Sequence, residues 1–330
     1  MTYKAIKLIK RPQTTITPDV FEVMEMETPT LGEGQILVRQ THMSLDPAMR
    51  GWMNEDRNSY IPPVELGDVM RSNGVGEVVE SQNEKFPVGT RVAGLIGWTE
   101  YLATSGAGLN PVPPEIDPEA ILAVLSLPGI TAYHGLMEVA RPKAGETVLV
   151  TGAAGSVGSI VGQIAKAEGL RVIGVAGSDE KCKWLTDELG FDAVINYKTA
   201  DLDTALTQAA PDGIDVFFEN TGGPIQHVAI NHMNPHGRVA ICGMIADYNR
   251  TTAMPGPSWI LLLKRRLRVE GFTMPDERHR WGELSQKVGA YLMAGQIKYR
   301  THVLEGLESA IDGINLLFSG ENRGKLMVKL

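Results

Sequence analysis

Residues 147–177, TVLVTGAAGSVGSIVGQIAKAEGLRVIGVAG, carry a pattern that few folds accommodate. Residues 147–151 form a short β-branched run suited to a buried parallel strand. Gly152, Gly155 and Gly158 follow at three-residue spacing. Val157, Ile160, Val161, Ile164 and Ala165 then fall on one face of a helix, and residues 171–176 read as a second strand. Strand, glycine turn, helix and strand in this order make the unit that holds a dinucleotide. Glycine suits the turn because a side chain would keep the backbone off a pyrophosphate, whose charge is favoured at a helix N-terminus. The spacing is G-x-x-G-x-x-G rather than G-x-G-x-x-G, so the flanking elements carry the reading more than the triplet does. An ordinary glycine-rich turn between strand and helix is the plain alternative.

The end of the second strand bears on which dinucleotide is held. An NAD site places an Asp or Glu there to accept from the adenosine ribose. Here Gly177 and Ser178 come first, then Asp179, Glu180 and Lys181. A small residue leaves room for a 2′-phosphate, to which Ser178 and Lys181 offer a hydroxyl and a cation. NADP(H) is therefore favoured. The alternative, Asp179 as an NAD acid, sits two residues late, in a helix first turn that Ser178 would cap.

The chain of 330 residues has room for two cores. Up to about residue 125 the pattern is β-rich, with strand-like runs separated by turns such as EKFPVGT. Residues 127–146 read as a helix closed by a Pro/Gly turn. Beyond it, RVIGVAG, DAVINY, DVFFENTGG, GRVAICG and RVEGF alternate with helical patterns, which predicts an α/β fold with a doubly wound parallel sheet. Residues 278–296 read as a long helix leaving that domain. Residues 307–318 and the strand KLMVKL read as a return to the β-rich one. The expected division is 1–125 with 298–330, and 126–297.

A net charge of −8 gives no dominant basic field, which argues against nucleic acid as a partner. The basic run at residues 264–268 reads as the solvated end of a helix. The apolar run before it is too short to span a bilayer, and no membrane association is expected. Cys182 and Cys242, both expected in regular structure, suggest no disulfide framework, and a cytoplasmic location is expected.

The strings SLDPAMRG, LSLPGITAYHGL, AAGSVGSIVGQIAK, GSDEK, NYKT, FFENTGG, CGMIADYN, VEGF and GENRGKLMV narrow the reading. Across essentially the whole chain they resemble the medium-chain dehydrogenase/reductase superfamily. Within it they resemble the zinc-independent, NADP-dependent alkenal/one reductases, the group of the prostaglandin reductases and bacterial curcumin reductases. The resemblance implies a Rossmann domain plus a β-rich GroES-like substrate domain, and a homodimer with RVEGF nearest its sheet edge. It implies that Gly155, Ser156, Val157 and Gly158 hold the pyrophosphate, and that Lys181 and Tyr197 meet the 2′-phosphate end. Asn220 would lie at a strand terminus beside the cofactor. The run Cys242, Gly243, Met244, Ile245, Ala246, Asp247 and Tyr248 would follow the nicotinamide ribose. Phe272, Thr273 and Met274 would lie near the nicotinamide, and Asn322 would return from the C-terminal segment. Plain readings stand beside these: Asn220 as a turn cap, Phe272 as core.

Zinc-dependent relatives carry a cysteine where this chain has Ser44, and a Gly-His-Glu where it has GDVMRSNG. Two distant cysteines cannot build their four-cysteine lobe. His227, His232 and His236 form the one histidine cluster, and Pro235 interrupts a shared helical face. A metal-free site is expected. Such a site suits hydride addition to the β-carbon of an enone or enal better than reduction of an unactivated carbonyl, because one or two hydrogen-bond donors suffice for the enolate. Tyr248 and the cofactor's ribose hydroxyl are the candidate donors. The family's usual DPYMR is DPAMR here, so Ala48 replaces a tyrosine and leaves Arg50, with Tyr60, as candidate substrate residues; the alternatives are Arg50 as a fastener of the domain interface and Tyr60 as packing. A quinone reductase and a non-catalytic NADPH-binding protein are the competing readings.

Overall fold

The computed structural model describes residues 2–252 and 254–330. The chain divides into two compact units, one of Met1–Leu122 with Thr301–Leu330, the other of Ala123–Arg300. Seven strands come first: β1 (Thr2–Leu8), β2 (Phe21–Glu27), β3 (Ile36–Ser44), β4 (Asn73–Ser81), β5 (Arg91–Leu95), β6 (Tyr101–Thr104) and β7 (Leu109–Pro111). The second unit holds β8 (Thr147–Val150), β9 (Arg171–Ala176), β10 (Ala193–Asn196), β11 (Ile214–Glu219), β12 (Met233–Ile241) and β13 (Arg268–Gly271). Two strands, β14 (Thr301–Glu305) and β15 (Lys325–Lys329), return to the first unit.

The first unit is built on a sheet of order β14-β15-β3-β4-β5-β7, with β6 also on β3 and a separate β1–β2 pair. Register shifts between Leu37 and Val38 and between Gln40 and His42 bend the β3–β4 ladder. Ile6, Leu8, Met43, Met49, Trp52, Trp98 and Val328 are among its core residues. The helix expected over residues 307–318 is two short ones, Ser309–Gly313 and Leu316–Ser319. At the break, a Cβ on Gly313 would lie 2.2 Å from Leu304 Cδ1, so the backbone presses on the neighbouring strand.

The second unit is a six-stranded sheet of order β10-β9-β8-β11-β12-β13, parallel at every pairing. Val148, Leu149 and Val150 of β8 are fully buried, as a strand covered by helices on both faces requires. From β8 the chain steps outward to β9 and β10, then crosses to fill β11, β12 and β13 on the other side. The reversal therefore falls between β8 and β11.

The helix Ser156–Ala167 packs Ile160, Val161, Ile164 and Ala165 inward. Gly162 on this helix and Gly174 on β9 form a slot for the Phe191 ring. A Cβ at Gly162 would lie 1.9 Å from Phe191 Cζ, and one at Gly174 would lie 2.9 Å from Phe191 Cδ1.

Two helices differ from expectation. The helical stretch Pro118–Ala140 begins well before residue 127, with Asp117 capping Glu119 N. It contains two wide π turns, Ile121–Leu125 and His134–Ala140. Pro128 has no N–H to give back to Val124, and Gly129 meets the Val124 carbonyl so closely that a Cβ would lie 1.8 Å from it. This stretch is long and apolar enough to cross a membrane, but 72 % of its apolar window is buried inside the protein. The expected helix over 278–296 is a 3-10 turn, Met274–Arg280, followed by the α-helix Trp281–Met293. It stays within the second unit and buries Leu284 and Val288. Cys242 lies one residue beyond β12, outside regular structure.

Replacing Gly162 by Ala drives a methyl into the Phe191 ring. Overpacking of this kind costs about 1–3 kcal/mol. Urea denaturation of Gly162→Ala should show a lower midpoint with an unchanged slope.

Candidate cofactor and active site

Every loop that leaves a carboxyl end of the parallel sheet carries residues singled out from the sequence. After β8 the chain turns through Gly152 at φ +57°, a left-handed conformation that a side chain resists. Gly155 N donates to Gly152 O at 2.9 Å, and Gly155 is the N-cap of the helix Ser156–Ala167 with no side chain capping it. The leading N–H groups of Ser156, Val157 and Gly158 have no acceptor within the helix. A Cβ on Gly158 would lie 2.4 Å from Gly152 O and 2.9 Å from Ala153 Cα. The three glycines thus have different duties. Gly152 turns the chain, Gly158 lets the helix rest on the turn, and Gly155 leaves the helix end bare. An uncapped N-terminus on a twelve-residue helix fits a pyrophosphate.

At the ends of β9 and β10, Gly177 faces Tyr197 and Lys198. A Cβ on Gly177 would lie 3.1 Å from Tyr197 Cε1, 3.3 Å from its hydroxyl and 3.4 Å from Lys198 Cε. Ser178 caps the helix Asp179–Asp187, its Oγ accepting from Lys181 N at 3.3 Å. Asp179, the rival NAD acid, accepts from Asn196 Nδ2 at 2.7 Å. One of its oxygens is thereby tied to the next strand. Tyr197 and Lys198 thus bring a hydroxyl and a cation to Gly177, with Ser178 next to it in the chain, chemistry that suits a phosphate. Lys198 escaped the sequence reading although it follows Tyr197 directly in NYKT.

At the reversal, Asn220 Nδ2 donates to Thr151 O at 2.8 Å and its backbone N donates to Thr151 Oγ1 at 2.9 Å. Asn220 therefore does bind the neighbouring turn, in keeping with the plain reading of its side chain. The loop 242–248 rides on this junction. Cys242 N donates to Glu219 O at 2.9 Å, and Ala246 N donates to Thr221 O at 2.9 Å. Tyr248 folds back so that its hydroxyl accepts from Met244 N at 3.3 Å, and a Cβ on Gly243 would lie 3.2 Å from that oxygen. Burial, with the Glu219 carboxylate second, pushes the Cys242 thiol up to about 12. It stays a thiol and is no nucleophile at neutral pH.

Beyond β13, Phe272 is half-buried. Its ring meets His134 edge-on at 5.5 Å and Phe218 at 6.2 Å between centroids, so much of it is packing. Thr273 Oγ1 donates to Asp276 at 3.3 Å. Met274 is buried among Ile130 and Leu284, so only its backbone is placed to meet a cofactor.

The first unit fills the place of a zinc ligand with polar side chains. Ser44 Oγ donates to Asp46, while Lys325 Nζ donates to Asp46 Oδ1 at 2.5 Å and to Leu45 O at 3.0 Å. The three histidines are separated. His227 Nε2 pairs with Pro255 O at 2.6 Å, His232 Nε2 pairs with Asp203 at 2.8 Å, and His236 lies within β12 at φ +66°. Among the described residues no group of three or more His, Cys, Asp or Glu side chains is placed to hold a metal ion.

Two family models match the chain: an N-terminal domain of oxidoreductases over residues 4–112, and a zinc-binding dehydrogenase over residues 156–289. The NADPH-dependent curcumin reductase of Escherichia coli is 40 % identical over 98 % of this chain and 95 % of its own. The NADP-dependent 2-alkenal reductase of Nicotiana tabacum is 39 % identical over 90 % of this chain and 88 % of its own. The crystal structure of CurA from Vibrio vulnificus in complex with NADPH superposes with a TM-score of 0.93 at 39 % identity, covering 99 % of this chain and 98 % of that one. The chain belongs to the medium-chain dehydrogenase/reductase superfamily, in its NADP-dependent alkenal/one reductase branch.

The expected substrate residues Arg50 and Tyr60 belong to the first unit. Arg50 has its guanidinium bonded within its own unit. It is only 2 % exposed, and its guanidinium donates to Thr14 O at 3.1 Å, Pro12 O at 3.0 Å and Asn54 Oδ1 at 2.5 Å. These partners tie it to the 12–14 segment and to Asn54. Tyr60 is 55 % exposed and Ala48 packs at the margin of the Trp52 core. Asn322 is buried and donates Nδ2 to Gly324 O at 2.9 Å, within its own turn.

Lys198→Ala should raise the dissociation constants of NADPH and of 2′-phospho-AMP, each measured by direct binding, about five- to tenfold, as loss of a cation facing a phosphate predicts. The dissociation constant of unphosphorylated AMP should not change. Unchanged binding of 2′-phospho-AMP in the variant would remove Lys198 from the phosphate end.

Proposed function

We propose that the chain reduces the carbon–carbon double bond of α,β-unsaturated ketones and aldehydes with NADPH, without a metal. NADP(H) is the cofactor, consistent with the bare helix end at Gly155 and the basic, hydroxyl-bearing space beside Gly177. When bound, the reduced nicotinamide supplies a hydride to the β-carbon of the conjugated acceptor. The chain's own task is to hold the acceptor, to keep water from competing and to steady the enolate oxygen.

The observation that carries the reading is the placement of Tyr248. Its hydroxyl stands at the carboxyl end of the sheet, on the loop that follows β12. A phenol that accepts a bond from Met244 N is polarised into a stronger donor, which is what a developing oxyanion needs. The same hydroxyl can supply the α-carbon proton. Gly222 and Gly223 form the floor under this loop. A Cβ on either would lie 2.8 Å from Met244 Cε and 2.7 Å from Met254 Cε, respectively. The two methionines and Pro255 give the loop an apolar surface suited to an unsaturated carbon skeleton. The tobacco relative is named for 2-alkenals, and those are acceptors of this class.

Incubation with NADPH and a simple enone should yield the saturated ketone. Tyr248→Phe should lower kcat on that enone about 10²- to 10³-fold, the usual effect of losing an oxyanion donor. An alcohol product, or NADPH oxidation with quinones alone, would overturn the reading. Unchanged turnover in Tyr248→Phe would remove the phenol from the chemistry.

The chain is further proposed to act in the cytoplasm, in keeping with two free cysteines, and to form a homodimer. Among the described residues β13 ends the parallel sheet with one side unpaired, and the helix Trp259–Arg265 buries none of its residues. Trp259 is 84 % exposed and Leu263 is 70 % exposed beside it. An open edge strand next to bare apolar side chains suits pairing with a second copy. Sedimentation at micromolar concentration should give twice the 35.8 kDa chain mass, and Leu263→Lys with Trp259→Glu should shift it to monomer. A wild-type monomer would refute the dimer.

A further inference from the structure

Glu219 is wholly buried at the end of β11, and its side chain has no part in the chemistry above. Its Oε1 accepts three hydrogen bonds: from Thr151 Oγ1 at 2.5 Å, Thr221 N at 2.6 Å and Gly222 N at 3.1 Å. Its main-chain oxygen accepts from Cys242 N at 2.9 Å and Gly243 N at 3.2 Å. Thr151 Oγ1 carries the network onward by accepting from Asn220 N. One residue therefore ties together the roots of three loops: the glycine turn after β8, the 220–223 turn after β11 and the 242–248 loop after β12.

Its other oxygen, Oε2, is buried with no hydrogen-bond partner among the described residues. A carboxyl in such a place is costly for the fold alone, because apolar side chains fill interior strands at no desolvation cost. Burial pushes this carboxyl up, against the opposing pull of its donors.

We propose that Glu219 is a positioning residue for the cofactor. Through Thr151 and the N–H groups of Thr221 and Gly222 it holds the three loops at the spacing a dinucleotide requires. The proposal rests on the reading that NADP(H) binds at the carboxyl end of the parallel sheet. What the network needs from Glu219 is an acceptor oxygen. Glu219→Gln keeps one; Glu219→Ala leaves three donors without a partner. Thr151→Val keeps shape while removing the hydroxyl that couples Oε1 to Asn220.

The test measures NADPH dissociation constants by fluorescence titration, with melting temperatures in the presence and absence of NADPH and KM and kcat on an enone. Glu219→Ala and Thr151→Val should raise the NADPH dissociation constant tenfold or more. Glu219→Gln should stay within threefold of wild type. With saturating NADPH, Thr151→Val should retain kcat within threefold, so that the loss lies in KM for NADPH. If Glu219→Ala does not fold, Thr151→Val and Glu219→Gln decide the matter. The proposal is overturned if Thr151→Val lowers only the melting temperature and leaves NADPH affinity unchanged. It is also overturned if Glu219→Gln loses affinity as fully as Thr151→Val. A wild type that does not bind NADPH sinks the cofactor reading and the proposal with it, whereas a binding wild type beside unaffected variants sinks the proposal alone.

Discussion

Between β8 and β11 the parallel sheet changes direction, and the loops on either side of that line diverge. Divergence opens a crevice at the carboxyl ends of the strands, the place where open α/β sheets take their ligands. A crevice alone is compliant. Here the Thr151 hydroxyl, the Asn220 amide and the Glu219 carboxyl lace its two lips together beneath the surface. The glycine turn, the bare helix end and the tyrosine loop all take their positions from that lacing. Loss of register there would displace all three.

The glycines of the second unit divide the work of making a rigid platform. Gly158 presses helix onto turn, and Gly162 with Gly174 admits the ring of Phe191 between helix and strand. Gly222 and Gly223 let two methionine side chains settle over the backbone beneath the tyrosine loop. Absent side chains become close contacts, and close contacts fix the spacing of groups that must meet a ligand. The adenosine end is built with more freedom. Tyr197 is 41 % exposed and Lys198 lies in solvent beside it, consistent with a site that recognises charge more than shape.

Local signals were the ones the sequence disclosed. The β8–helix–β9 unit lies where its pattern puts it because burial on both strand faces and a 3.6-residue period are written within thirty residues. The cap at Ser178 was legible for the same reason. Features that depend on distant partners were not. The helix was expected only from residue 127, whereas it begins at Pro118 and passes Pro128 and Gly129 by way of a widened turn. The bonds from the Arg50 guanidinium to the carbonyls of Pro12 and Thr14 were likewise hidden, since those partners lie more than thirty residues away in the chain. Glu219 went unremarked beside Asn220, since its three donors come from two loops and only two of them are its neighbours in sequence.

The two units differ in how their chain is arranged, and that difference sets an order of events during synthesis. Residues 123–300 are contiguous, whereas the other unit needs β15 wedged between β14 and β3. β15 also brings Lys325 to its buried partner Asp46. As the polypeptide leaves the ribosome, the nucleotide-holding half is whole while its companion still lacks an interior strand. The early residues must wait with the His42–Ser44 end of β3 unpaired until the final segment emerges, and over that interval this border is exposed to mispairing.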